Sequence, residues 1–396
     1  MSKPPVNQPT GQKRSIFEEV GETSRGGDVV APKARGAAEG RLAAVSRGRK
    51  LVRGWLIILF VMVVTMIAVG GMTRLTNSGL SITEWKPVTG ALPPMSDAVW
   101  LEEFAKYQAT PQFEIMNSTM TLAEFKGIYW WEWGHRQLGR TIGLVWAIGF
   151  FGLWAARQIP KGWHGRLLGI GALGGVQGAI GWWMVASGLT GEMTSVASYR
   201  LATHLGLAFA ILWLIVWYVL MLSRSSADII QAKRAGDRKL GGLAAGLLHL
   251  AFLQILLGAL VAGIDAGRGY TDWPLMGGQI LPPDPFSELP LWRNFFENAA
   301  LVQFMHRVVG YVLAAMAVVA YLKGRRSAMF ETRGAFTAAS VAIGGQVLLG
   351  IATLMHGAPL HLGVAHQLGA VLVMTLVLRA RHRALYPLKQ SLRATK

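Results

Sequence analysis

Eight apolar runs of roughly 20 residues, each about long enough to cross 30 Å of hydrocarbon, limit most severely what this chain can fold into. They are read at about 55–71, 138–156, 167–187, 201–222, 243–264, 308–322, 335–355 and 362–379. With 52% hydrophobic and only 15% charged residues among 396, the composition fits a polytopic membrane protein far better than a soluble enzyme. The expected fold class is all-α, with eight transmembrane helices.

The formal charge of +18 raises nucleic acid or anionic lipid as partners, but its distribution favours membrane topology instead. Basic residues gather before the first run (Arg47, Arg49, Lys50, Arg53) and in alternate connections (Arg157, Lys161 and Arg166; Arg224, Lys233, Arg234, Arg238 and Lys239; Lys323, Arg325, Arg326 and Arg333), then at Arg379, Arg381, Arg383 and Lys389. The intervening long loops are acidic, with Glu84, Asp97, Glu102, Glu103, Glu114 and Glu124, then Asp265, Asp272, Asp284, Glu288 and Glu297. Both termini are therefore expected in the cytoplasm, and no nucleic-acid partner is expected. Residues 1–50 read as a disordered cytoplasmic tail and 386–396 as a second tail. No short apolar stretch with a small-residue cleavage site precedes the first run, so no removable signal peptide is expected. Cysteine is absent, which excludes disulfides, thiolate ligands and thioether-linked haem.

The second half restates the first. The segment GGMTRLTNSGLSITEWKPVTGALPP (70–94) corresponds to AGIDAGRGYTDWPLMGGQILPP (262–283), aligning Trp85 with Trp273 and the Pro93–Pro94 pair with Pro282–Pro283. His135-Arg136-x-x-Gly139 matches His306-Arg307-x-x-Gly310; Gln177 and Gly181 match Gln346 and Gly350; His204-Leu-Gly matches His366-Gln-Leu-Gly. The expectation is two tandem four-helix bundles, 51–225 and 241–385, joined by a cytoplasmic linker at 226–240. Four helices per unit give a parallel repeat about a pseudo-twofold axis along the membrane normal.

Each half then places two histidines at the outer end of its second and fourth apolar runs: His135 with His204, and His306 with His366. An imidazole at membrane depth is costly unless paired or bound to a metal. Bis-histidine pairs in a cysteine-free apolar bundle suit haem iron, whereas zinc or copper sites gather three or four ligands. Arg136, Arg140 and Arg307 are candidate partners for haem propionates, with snorkelling to the outer interface as the alternative for Arg136. Glycines inside the helices, such as Gly169, Gly171, Gly174, Gly175 and Gly178, allow close helix approach or room for a flat macrocycle.

The halves differ three residues before the first ligand, where Glu132 faces Gln303. A buried carboxylate beside the macrocycle can serve as general base or acid and a glutamine cannot, so the first half reads as catalytic and the second as an electron-transfer site. The alternative is that Glu132 simply pairs with a nearby arginine. His164 and His382 are expected to be solvated and His249 to be a packing residue, while His356 and His361 flank a short outer loop without an assigned role. The long outer loop 85–128 either caps a site or docks a partner.

Together, EWGHRQLGR, RLTNSGLSITEWKPVTGALPP, TDWPLMGGQILP, MHRVVGY and HQLGA resemble haem A synthase, of the type found in alphaproteobacteria and mitochondria, across about residues 50–385. The resemblance implies a bacterial inner-membrane enzyme that oxidises the C8 methyl of haem O to the formyl of haem A for cytochrome oxidase. The route would be successive hydroxylations, with water the favoured oxygen source, and a geminal diol that loses water. It implies that His306 and His366 bind a cofactor haem b, that His135 and His204 hold the substrate, and that Glu132 assists proton removal. Implied partners are haem O, a haem O synthase, oxidase assembly factors and a second copy of the chain. Some members of the family carry a cysteine pair in the first half's outer loops; a mechanism needing that pair cannot apply here. Two other readings remain open at this level: a dihaem b-type electron-transfer cytochrome, and a non-enzymatic haem carrier or assembly factor.

Overall fold

A computed structural model of the chain describes residues 32–389, with side chains from residue 43 onward. The residues from Ser46 onward form one compact unit, preceded by helix from Pro32. Lipid offers no water to bond a free N–H or C=O, so a chain this apolar is driven to satisfy its backbone within helices.

Twelve helices are described: α1 (Pro32–Leu75), α2 (Asp97–Gln108), α3 (Pro111–Met116), α4 (Leu122–Ala155), α5 (His164–Ala186), α6 (Ser198–Met221), α7 (Ser226–Arg234), α8 (Arg238–Gly263), α9 (Asn294–Glu297), α10 (Ala299–Gly324), α11 (Phe330–Met355) and α12 (Leu360–Leu385). Eight of them, α1 from Ala43, α4, α5, α6, α8, α10, α11 and α12, are long and apolar enough to cross a membrane. The chain is a multi-pass, all-helical membrane protein.

Several boundaries differ from the sequence reading. The helix that carries the first apolar run begins at Pro32, so residues 32–50 are helical where a disordered tail was expected. The tail readings for residues 1–31 and 390–396 lie outside the described residues. The linker at 226–240 holds α7, whose Ser225 cap is closed by Asp228. The largest difference is α4, which starts at Leu122 rather than near 138. A capping box, Thr121 with Glu124, starts it at an exposed position, and its first turns pack through Phe125 and Tyr129 against Ile82, Trp100, Phe104 and Tyr107. The "loop" at 85–128 is therefore a small folded cap, with Tyr107 Oη donating to Gln112 Oε1 at 3.0 Å in its centre.

The bundle is filled at one end and hollow at the other. Val52, Leu56 and Leu59 of α1, Leu212 and Ile215 of α6, Leu247 and Leu248 of α8, Phe336 of α11 and Val377 of α12 form one buried cluster. All lie toward the helix ends that carry the basic connections. Apolar burial between helices gains little in lipid, so interhelical hydrogen bonds of about 0.6–2 kcal/mol each set the register. Trp55 Nε1 donates to Val145 O and Trp146 Nε1 to Leu167 O, both at 3.1 Å, and Ser340 Oγ donates to Ala317 O at 2.9 Å. α8 packs closely along α6, α10 and α12, whereas α1 reaches its neighbours through side chains, for example where Gln367 Nε2 donates to Ile67 O.

His382 corrects an expectation. It is 1% exposed, edge-on to Trp217 and beside Tyr386, because α12 continues to Leu385 and turns this face inward. His164 and His249 are exposed, and His249 bonds its own helix at Ala245 O and meets Trp213 at its edge. His356 and His361 are also exposed; among the described residues, no group of three or more His, Cys, Asp or Glu gathers to hold a metal ion.

Candidate functional site

The hollow end is a cavity of about 950 Å³ whose wall includes His135, His204, His306 and His366. This is near the upper end of the roughly 300–1,000 Å³ usual for small-molecule sites. Its lining is mostly apolar, with Trp85, Trp146, Trp182, Trp273, Ile170 and Leu205 among the walls.

Each histidine ring lies against a glycine of a neighbouring helix. A methyl group built on Gly70 (α1), Gly181 (α5) or Gly350 (α11) would meet Cε1 of His135, His204 or His366 at 2.9 Å, and one on Gly258 (α8) would meet His306 Cε1 at 3.1 Å. Those distances leave no room for a side chain, so the glycines let the Cε1 edge of each ring approach the backbone closely. Close approach, rather than flexibility, explains these four glycines.

A glutamine one turn earlier holds three of the rings. Gln177 Nε2 donates to His204 O at 3.0 Å and lies 3.2 and 3.4 Å from the two ring nitrogens. Gln254 Nε2 donates to His306 O at 2.9 Å and lies 3.2 Å from the ring. Gln346 Nε2 donates to His366 O at 2.7 Å and lies 3.1 Å from Nδ1. Gln177 and Gln346 stood out in the repeat; Gln254 did not, because the matching place in the first half is Met66.

The rings of His306 and His366 have centroids 6.4 Å apart and planes at 76°. A metal–nitrogen bond of about 2 Å on each side, with about 1 Å more from each nitrogen to its ring centre, calls for roughly 6 Å. The second pair is thus spaced to take one metal atom between the rings. No equivalent ring contact joins His135 and His204.

Glu132 is 3% exposed and lines the cavity, and every lone-pair direction it turns to the protein is used. Oε2 accepts from Ser81 Oγ and from Ile82 N, both at 2.8 Å. Oε1 accepts from Arg136 Nη2 at 2.6 Å and Nε at 3.1 Å. Arg136 also donates to Ile82 O and Glu84 O, and Arg140 to Lys86 O and Pro87 O. In the second half Gln303 Oε1 accepts from Arg307 Nη2 at 2.7 Å, while its Nε2 donates to Ala266 O and Tyr270 O; Arg307 continues to Leu275 O. The same helix position anchors the outer loop in both halves. Where the loop presents an N–H and a hydroxyl the anchor is glutamate, and where it presents two carbonyls the anchor is glutamine. That contrast gives the Glu132/Gln303 difference a structural cause alongside any catalytic one.

Above the first pair the cap carries a charge cluster. Lys106 Nζ lies 2.9 Å from Glu84, 2.7 Å from Glu102 and 2.9 Å from Glu103, and Lys86 is 2.7 Å from Glu84. Lys86 and Lys106 hold the Glu84 carboxyl below the usual carboxylate range, and Lys106 does the same for Glu102. Across the halves, Arg74 at the end of α1 donates to Gly263 O and pairs with Asp265 at 3.0 Å.

The chain matches the cytochrome oxidase assembly protein family COX15-CtaA over residues 53–378. It is 60% identical to the "Heme A synthase" of Paracoccus denitrificans over 384 residues, covering 97% of this chain and 99% of that one. Against the "Heme A synthase" of Ruegeria pomeroyi the identity is 60% over 387 residues, with 96% and 99% covered. For the protein of the same name from Cereibacter sphaeroides it is 54% over 395 residues, with 96% and 98% covered. With paired histidines, an apolar cavity and this extent of match, the chain belongs to the COX15-CtaA family of cytochrome oxidase assembly proteins.

Proposed function

We propose that this chain makes haem A from haem O, oxidising the C8 methyl to a formyl group by successive hydroxylations at the membrane. The observation that carries the reading is one apolar cavity whose wall holds both histidine pairs. Relatives named heme A synthase at 54–60% identity over nearly the whole chain support it.

In this reading the two halves form a tandem repeat about an axis along the membrane normal, supported by the recurring glycine–histidine contacts. The basic inner connections support an orientation with both termini in the cytoplasm and the histidines toward the periplasmic side of the inner membrane.

His306 and His366 would hold haem b, and the 6.4 Å ring spacing fits that assignment. Bound there, haem b would carry electrons away from the reaction one at a time. His135 and His204 would hold haem O. The glycines behind the rings fix how deep each imidazole stands, and the apolar walls would limit the water reaching the reacting methyl to the little that the hydroxylations consume. Arg136, Arg140 and Arg307 would meet propionates at the outer rim, giving up some of their loop carbonyls to do so.

We assign Glu132 to proton removal at the methyl-derived carbon, since it lines the cavity three residues from His135. For the proton to reach it, one of its donors must let go. The Ser81 hydroxyl is uncharged and rotates freely, so it is the donor that can.

The test is to purify the protein, supply haem O with an active electron acceptor, extract the haems and separate them chromatographically. Formation of haem A or its hydroxylated precursor is expected. Haem O recovered unchanged would leave a b-type electron-transfer cytochrome or a haem carrier as the better reading.

A further inference from the structure

Three of the four histidines share one support, and the fourth lacks it. The residue four before the packing glycine is Gln177 before Gly181, Gln346 before Gly350 and Gln254 before Gly258, but Met66 before Gly70. Met66 occupies the equivalent place in space as well as in sequence. A methyl on Gly139, one turn beyond His135, would meet Met66 Cε at 3.4 Å, and a methyl on Gly310, one turn beyond His306, would meet Gln254 Nε2 at 3.2 Å. His135 Nδ1 and His306 Nδ1 are both buried without a hydrogen-bond partner, but the other ring nitrogen of His306 lies 3.2 Å from Gln254 Nε2, whereas neither ring nitrogen of His135 has a hydrogen bond among the described residues.

We propose that Gln177, Gln254 and Gln346 are positioning residues for their histidines, and that Met66 leaves His135 as the labile ligand through which the first site exchanges its haem.

The argument rests on the two-site reading above. Whichever nitrogen of an imidazole binds iron, the other carries a proton that needs an acceptor, and loss of such a partner usually costs about 10–100-fold in affinity. An amide side chain offers both an oxygen and N–H groups. The oxygens of Gln177 and Gln254 are buried beside the rings with no partner of their own, so a half-turn of the amide would bring an acceptor to the ring N–H in exchange for the bond it now gives the histidine carbonyl. A thioether is a weak acceptor. Both histidines that would hold the resident cofactor have such a support, Gln254 for His306 and Gln346 for His366. Of the two that would hold the passing substrate, only His204 has one, in Gln177. An enzyme whose substrate and product are both haems must release what it has ligated, and one unsupported ligand serves that purpose.

Two variants of the full-length protein test this, Gln254→Met and Met66→Gln, with haem b and haem O as probes. Haem release to apomyoglobin in excess and the midpoint potential of the resident haem are the readouts. For Gln254→Met we expect resident haem b to leave about 10–100-fold faster and its potential to rise, because a ring without its acceptor is less basic and favours the reduced iron. For Met66→Gln we expect release of haem O to slow by a similar factor, KM for haem O and kcat to fall together, and the second-site potential to stay unchanged. A purely structural helix–helix bond would shift thermal stability but neither potential nor release rate. Wild-type protein that binds haem b while both variants match it in release and potential would overturn the inference alone. Wild-type protein that binds no haem would overturn the site reading beneath it.

Discussion

Replacing Glu132 with glutamine should loosen the first outer loop by about 3 kcal/mol before it affects any chemistry. The carboxylate accepts four hydrogen bonds, two of them from Arg136 and one from Ile82 N. A glutamine that keeps Arg136 on its oxygen turns its own N–H groups toward Ile82 N–H and Ser81. Ser81 can rotate to accept; the backbone amide cannot. A buried donor left unpaired costs about 1–3 kcal/mol, and a charged hydrogen bond made neutral about 1–2 more. Arg136 is 19% exposed and retains two loop carbonyls, which keeps the sum toward the lower end. At 1.4 kcal/mol for each factor of ten, the loop should open roughly 100-fold more often. Hydrogen exchange at the Ile82 amide in lipid nanodiscs measures this, with Gln303→Glu as the mirror experiment, since a carboxylate there would face the carbonyls of Ala266 and Tyr270. Unchanged Ile82 exchange in Glu132→Gln would refute the anchoring argument. If activity were also lost in that case, the carboxylate would act on the substrate alone.

Other perturbations separate the two sites and the cap. Gly181→Ala and Gly350→Ala each place a methyl 2.9 Å from a ring carbon, an overpacking of about 1–3 kcal/mol; the first should perturb the spectrum of added haem O and the second that of resident haem b, each sparing the other. Gly71→Ala should displace the Gln367 amide, which touches Gly71 and bonds Ile67 O. Lower thermal stability should follow, with a shifted second-site spectrum because Gln367 adjoins His366. The Lys106 cluster should respond to acid. Glu84 and Glu102 titrate below the ordinary glutamate value of about 4.3, with Lys86 and Lys106 holding Glu84 down and Lys106 holding Glu102 down. Their contribution is complete above that value and is lost as pH falls through the lower folded one. Limited proteolysis of residues 85–110 should therefore stay slow at neutral pH and accelerate only below about pH 4, and Lys106→Met should weaken that acid-induced acceleration, leaving the part carried by Lys86 on Glu84.

Much of this architecture is legible from local pattern. Lipid-length apolar runs report spans directly, and a duplicated chain shows its histidines, arginines and two of its glutamines by internal comparison. The outer part of α4 escapes because IYWWEWGHR mixes aromatics and charges; its helix is held by a capping box and by cap residues from 82 to 107 rather than by an apolar run. Burial of His382 depends on Trp217 and Tyr386 meeting it from α6 and the chain beyond α12, which spacing along one helix cannot report. Glu132 was legible as a break in symmetry, but its partners Ser81 and Ile82 lie fifty residues away, so the loop-anchoring half of its role emerges only in three dimensions. Gln254 was hidden for the opposite reason: repeat comparison highlights matches, and its counterpart is Met66.

The central claim is that four histidines divide into a resident pair and an exchanging pair, and haem content of ligand variants tests it most directly. Protein purified without added haem O should carry haem b, and His306→Ala should lose that haem while still taking up added haem O. His135→Ala should keep haem b and lose uptake. If His306→Ala instead keeps its resident haem and loses only the exchangeable one, the assignment of the halves is reversed.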